Sequence, residues 1–295
     1  MPTTREIRRR IRGVRSIGQI AKAMETVAAS KMRHAQQQTL ASRPYAERSL
    51  QVLHSLARQV GGSSGLLHPL LTKREVQHIG IVLITADRGM AGSFNTNMIR
   101  KAVEFTKAQT PPVGFITVGR KGRDFLLRYG FNVQAEFTGI PDRPSQVDIL
   151  PIARVVIDDF LAGTWDEVYL AYTGFINTLV QRPKIERLLP LEPVWEGGKH
   201  APVDYIYEPD AETILGQVLP RFTEMQVYQA LLESIASEQS ARMVAMRNAR
   251  ESADELEGSL TLSYNKARQA SITTELLDIA GGAEALAQAL RAANL

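Results

Sequence analysis

The residues best placed to do chemistry lie in Asp87-Arg88-Gly89-Met90-Ala91-Gly92, directly after the apolar, β-branched run Ile79 to Thr85. A glycine-bearing loop between a buried strand and a helix is where a phosphate would sit on backbone amides. The chain nevertheless has no G-x-G-x-x-G there and no G-x-x-x-x-G-K-[ST] anywhere. Asp87-Arg88-Gly89 therefore reads as a tight turn in which acid and base satisfy the backbone. The five histidines, His34, His54, His68, His78 and His200, lack ligand-like spacing. No serine lies in a nucleophile elbow, and no carboxylate pair stands out. Zero cysteines exclude disulfides, thiolate metal sites and thiol redox switching, and fit a reducing, intracellular setting. No catalytic residue, cofactor or metal site is expected.

Charge gives a sharper signal. Residues 1–58 carry twelve Lys or Arg against three acids, so they hold +9 of a chain whose net charge is only +4. Arg5, Arg8, Arg9, Arg10, Arg12 and Arg15 make the densest cluster, and such density implies an acidic partner or nucleic acid. No aromatic residue precedes Tyr45, so a stacking platform for bases is missing. Ile7, Ile11 and Val14 run straight through the arginines, unlike a basic region that precedes its zipper. Arginines guiding the chain to an acidic protein surface is the favoured reading; a basic coiled-coil scaffold or nucleic-acid-associated protein is the alternative.

Two long helices must position these charges. Thr3-Thr4-Arg5-Glu6 is a capping box that opens a first helix over about residues 3–59. Its seam runs Ile7, Ile11, Val14, Ala21, Met24, Ala28 and Ala35, with Pro44 expected to kink or interrupt it. Because the seam starts at Ile7, the Arg-rich start is not read as a removable leader. Gly61-Gly62-Ser63-Ser64-Gly65 should follow as a flexible linker.

At the other end, Arg221 to Leu295 contains no proline. A three-four alternation there gives Met225, Tyr228, Leu232, Ile235, Gln239, Arg242, Met246, Ala249, Ala253, Leu256, Leu260, Ser263, Ala267 and Ala270. Such a helix would be roughly 100 Å long, too long for a domain of this size to cover. From Ile272 the apolar positions shift register through Leu276, Ile279, Ala283, Leu286 and Leu290, which turns the greasy face toward a new neighbour. Gly281 and Gly282 suit a close approach by another backbone, or fraying near a terminus.

Between the helices, apolar runs at 79–85, 113–118, 132–138, 167–175 and 180–188 alternate with helical patterns. The expected fold is an α/β insert domain, mainly parallel, plus a long antiparallel coiled coil formed by the N- and C-terminal helices. The division is 1–60, coiled-coil helix; 61–75, linker; 76–208, Rossmann-like domain; 209–295, coiled-coil helix. No apolar run approaches the length of a membrane span.

The segment Ile272-Thr273-Thr274-Glu275-Leu276-Leu277-Asp278-Ile279-Ala280-Gly281-Gly282-Ala283 resembles the C-terminal pattern of the gamma subunit of F-type rotary ATP synthase. Tyr264 to Ser271, Ser237 to Met243, Lys22-Ala23-Met24, Ala28 to Met32, and Asp87-Arg88-Gly89 with Gly92 and Asn95 resemble the same family. The resemblance implies a non-catalytic central rotor shaft that couples proton-driven rotation of the membrane ring to ATP synthesis or hydrolysis. The implied partners are the alpha and beta subunits of the catalytic hexamer, the epsilon subunit and the c-ring. Contacts with the hexamer would fall to Met24, Arg242, Arg268, Gln269, Thr273, Glu275, Ile279 and Leu286. Tyr205, Tyr207 and Glu208 would form the foot on the ring and epsilon. The implied location is peripheral, on the cytoplasmic side of the inner membrane. Ser16-Ile17-Gly18-Gln19-Ile20-Ala21 departs from the family's usual run, and Gly18 is expected to loosen that turn. The inserted cysteine pair of chloroplast relatives is missing, so their thiol control is not expected.

Overall fold

The computed structural model describes residues 3–63, 68–192 and 210–293. Two compact units emerge: Thr26–Ala245, and Met1–Glu25 together with Met246–Leu295.

The larger unit is built on a five-stranded sheet. Its strands are β1 (Ile79–Ile84), β2 (Val113–Val118), β3 (Val133–Phe137), β4 (Glu167–Phe175) and β5 (Gln181–Leu189), in spatial order β3-β2-β1-β4-β5. The first four run parallel, and β5 returns antiparallel to β4 through a short turn. β1 is buried at every position because helices cover both faces of a parallel sheet. One face packs against α2 (Phe94–Ala108) and α3 (Arg120–Arg128), through Met98, Ile99, Ala102 and Leu126. The other packs against α4 (Gln146–Leu161) and the first part of the long helix α5 (Ala211–Ala293). In α5, Leu215, Leu219, Phe222, Val227, Leu231 and Ile235 all join that core. Ala28 and Met32 of the long first helix, α1 (Thr4–Ser63), pack with Met243 of α5 in the same unit.

Two expectations need correction. Pro44 does not interrupt α1, which remains helical on both sides of it, since proline removes one hydrogen bond while its neighbours keep theirs. It also continues to Ser63, so Gly61 and Gly62 belong to the helix rather than to a linker; Ser64 and Gly65 lie outside the described residues.

The smaller unit is an antiparallel pair of helices. Arg8 bonds Tyr264, Arg15 pairs with Glu257, and Glu25 pairs with Arg247 and Arg250, so residue numbers rise on one strand as they fall on the other. Ile7, Ala21, Met246 and Ala253 are its buried apolar residues. Buried or half-buried positions on the α1 side are Thr4, Ile7, Ile11, Val14, Gly18, Ala21 and Glu25, a three-four alternation, with Met24 beside it. Facing them are Met246, Arg250, Ala253, Glu257, Leu260, Tyr264 and Ala267. The C-terminal seam keeps Ala249 half-buried beside Arg250 but differs from the sequence expectation at Leu256, Ser263 and Ala270. Leu256 is 50% exposed and Ser263 is exposed, while Glu257 and Tyr264 turn inward to meet arginines. Gly18 does not simply loosen its turn: a Cβ built there would lie 3.5 Å from that of Ala253, an ordinary packing contact.

Candidate functional site

The loop after β1 sits at the carboxyl end of the parallel strands, where doubly wound sheets bind ligands. Here the chain fills the place itself. Asp87 Oδ1 accepts from the Arg120 amide at 3.0 Å, at the first turn of α3, and Oδ2 accepts from the Gly139 amide at 2.8 Å. An internal carboxylate thus occupies the donors that a phosphate would use at a helix N-terminus. Asn95 Oδ1 accepts from the Ala86 amide at 2.9 Å, which pins the loop to α2. Gly119, with φ of 102°, is required where α3 begins, because a Cβ there would be 2.1 Å from the Thr85 carbonyl oxygen. Asp87 satisfies backbone as expected, whereas Arg88 is exposed. Among the described residues no group of His, Asp and Glu is arranged to hold a metal ion.

A second polar cluster lies where α5 crosses the sheet, within the larger unit. Glu238 and Arg242 form an ion pair at 2.8 Å with side chains only 16% and 10% exposed. Arg242 Nη2 also donates to the Gly89 carbonyl at 3.3 Å. Burial pushes the Glu238 carboxyl above its ordinary range, Arg242 opposes that rise, and the negative charges of Asp142 and Asp87 add to it. Ser237 Oγ donates to the Thr173 carbonyl at 3.0 Å, and Ser240 Oγ to that of Thr178 at 2.7 Å. Gln239 and Arg242, which interrupt the apolar seam, are thus both buried, and Arg242 already has partners inside the chain.

The end of α5 presents the opposite picture. Every residue from 268 to 286 is exposed, including Arg268, Gln269, Thr273 and Glu275. Ile272, Leu276, Leu277, Ile279 and Leu286 stand between 49% and 70% exposed. Polar side chains there bond along the helix: Ser271 Oγ donates to Glu275 at 3.3 Å, and Thr273 Oγ1 to the Gln269 carbonyl at 3.0 Å. The reason is the register. With Arg8 opposite Tyr264, α1 starts at Thr4 opposite about residue 268, and α5 continues to Ala293 beyond the end of α1. Gly281 and Gly282 meet nothing within 4 Å, so among the described residues no backbone approaches them. A contiguous exposed apolar stretch of this size marks a protein-binding surface.

Met24 is half-buried in the paired helices. Arg5, Arg9, Arg10 and Arg12 are exposed, whereas Arg8 and Arg15 are engaged by α5. Tyr205, Tyr207 and Glu208 lie outside the described residues. Reading for apolar seams missed Glu25, a seam position held by an acid. The seven-residue spacing of Arg250, Glu257 and Tyr264 was the signal that could have revealed the polar layers.

Comparison with known proteins accounts for this architecture. A family model described as ATP synthase matches residues 3–286. The ATP synthase gamma chain of Dehalococcoides mccartyi (strain CBDB1) is 53% identical over 287 residues, covering 97% of this chain and all of the relative. That of Roseiflexus sp. (strain RS-1) is 52% identical over 292 residues, covering 98% of this chain and all of the relative. Among solved structures, a rotor chain of the Euglena gracilis mitochondrial ATP synthase superposes with a TM-score of 0.68 at 21% identity. It spans 91% of this chain and 98% of its own length, a likeness of fold. Nothing among these relatives supports a nucleic-acid-associated protein. On matches that run nearly end to end, the chain belongs to the ATP synthase gamma chain family.

Proposed function

We propose that this chain is the central rotor shaft of an F-type ATP synthase and itself carries out no bond chemistry. The observation that carries the reading is the end of α5 that projects beyond its antiparallel partner and leaves Ile272, Leu276, Leu277, Ile279 and Leu286 exposed, four of them grouped on one face. An apolar surface is held by nonspecific burial, so a rotating tip breaks few directional bonds as it slides in an apolar sleeve. The shaft would present a different side to each beta subunit in turn. Because an equilibrium shifts only by differential contact free energy, each side must favour one nucleotide-binding conformation over another.

In this reading Arg268, Gln269, Thr273 and Glu275 make the polar contacts with the alpha and beta subunits, and Ile279 and Leu286 make the apolar ones. Met24 and Arg242 contribute lower down, where Arg242 Nη2 already bonds Glu238 and the Gly89 carbonyl. Tyr205, Tyr207 and Glu208 are assigned to the foot on the c-ring and epsilon subunit. The division into shaft, linker, foot domain and shaft follows the same logic, with the first boundary moved from residue 60 to Ser63 and the others kept at 75 and 208. No described helix is long and apolar enough to cross a membrane. A peripheral place on the cytoplasmic side of the inner membrane, reached through the complex, is part of the proposal.

Pull-down from native membranes with subunit identification tests the assignment; recovery of the chain without alpha and beta subunits would overturn it. Glu275→Lys should leave the fold unchanged, because that side chain bonds only Ser271. The same variant should weaken catalytic cooperativity of the assembled complex, measured as turnover against ATP concentration, and unchanged turnover and coupling would remove Glu275 from the contact set.

A further inference from the structure

The paired helices of the smaller unit are held by an unusual seam. Its α1 side narrows to Gly18 and Ala21, and its α5 side offers Ala253 opposite Gly18. Small residues let two helices come close but define register weakly, because a slide by one heptad finds another small or flexible residue. Polar residues at seam positions specify register, at some cost in stability. Glu25 occupies such a position. Its carboxylate, 15% exposed, accepts from Arg247 Nε at 3.0 Å and pairs with Arg250 Nη1 at 3.4 Å, the two arginine side chains being 48% and 33% exposed. The neighbouring Arg15–Glu257 pair has side chains 63% and 25% exposed, where screening leaves an ion pair little strength.

The sequence around the arginines sharpens the point. Sliding the helices by one heptad, so that Gly18 meets Leu260, would bring Glu25 from Arg247 and Arg250 toward Asp254, Glu255 and Glu257. Attraction would become repulsion between like charges, partly sheltered from water. The alignment seen is therefore both favoured by two cations and guarded by three acids.

We propose that Glu25 is a positioning residue that locks the axial register of the two helices through Arg247 and Arg250. The lock lets torque on one helix reach the other without slippage; this purpose rests on the shaft reading above, while the lock itself does not.

The absence of cysteine makes the register directly measurable. A Cβ at position 18 lies 3.5 Å from that of Ala253, at the short end of the range a disulfide spans. In the assembled complex, Gly18→Cys with Ala253→Cys should cross-link under mild oxidation, and Gly18→Cys with Leu260→Cys should not. Adding Glu25→Ala should lower the first yield on the order of tenfold and make the second appear. Glu25→Asp should restore part of the original pattern. Exchange of charges, Glu25→Arg with Arg247→Glu and Arg250→Glu, should restore most of it, a rescue that loss of packing alone would not give. An unchanged cross-linking pattern in Glu25→Ala would overturn the lock. A shifted pattern with undiminished ATP-driven proton pumping per ATP hydrolysed would keep the lock and overturn the torque-transmission reading.

Discussion

Two stretches of α5 have the same backbone conformation and opposite surroundings. From Leu215 to Met243 the helix is wrapped by the sheet, α4 and α1, and even Ser237, Ser240 and Arg242 are buried. From Arg268 to Leu286 no side chain is covered. Helix propensity alone cannot hold such an end in water as firmly as packing holds the other, because most helical stability in proteins comes from burying one face. The first stretch anchors, and the second must find its burial on another molecule. Substitutions should therefore cost stability in one and function in the other.

The largest stability effect should come from Arg242→Ala in the anchored stretch. It leaves the Glu238 carboxylate buried without its cation, a situation that costs about 3–5 kcal/mol. The loss should shrink in acid. Burial raises the folded-state pKa of Glu238 above its unfolded value, and without Arg242 that rise grows. The penalty is full above the folded pKa and fades as pH falls through it toward the unfolded one. Denaturant titrations of variant and parent across that range check both magnitude and sign; a deficit that grows toward low pH would contradict the burial argument.

A matched pair of leucines comes next. Leu232 is fully buried, and Leu232→Ala should destabilise the larger unit by about 3 kcal/mol through lost transfer energy and a residual cavity. Leu276, 62% exposed, should change stability by no more than about 0.5 kcal/mol on the same substitution. The order should reverse for coupling in the assembled complex, where Leu276→Ala removes apolar contact at the tip. Equal stability losses would erase the contrast between the two stretches.

How much of this was legible in the sequence varied with the range of the interactions. β1 and β2 declared themselves as short apolar runs because a strand covered on both faces has no polar positions to confuse the pattern. The antiparallel coiled coil followed from two seams that neither helix buries alone. The seam's detailed path did not follow, because apolarity points to Leu256 while Arg15, 242 residues away, recruits Glu257. The same limit hid Glu25, and it hid the Gly89 carbonyl in the loop after β1 that Arg242 bonds. The exposed tip was legible as apolar spacing, but its role came through resemblance, since an unpartnered helix does not reveal its occupant.

The smallest effect sharpens the comparison from outside α5. α4 opens with a capping box in which Asp148 Oδ2 accepts from the Ser145 amide and hydroxyl, each at 2.7 Å. Those bonds hold the Asp148 carboxyl below its ordinary range. A depressed folded-state pKa contributes stability above the unfolded pKa, and that contribution is lost as pH falls through the folded one. α4 supports the anchored stretch, since Ile149, Ile152 and Val156 share its core and Tyr228 donates to the Pro144 carbonyl just before the box at 3.2 Å. Asp148→Asn should therefore give a modest increase in amide hydrogen exchange at the start of α4 and around Tyr228, and should flatten the acid dependence of exchange there. Residues 268–286 should exchange as before, because among the described residues nothing packs on them for α4 to support. A change at both ends of α5 would mean that the two stretches behave as one cooperative body, and the division into anchor and tip would fall with it.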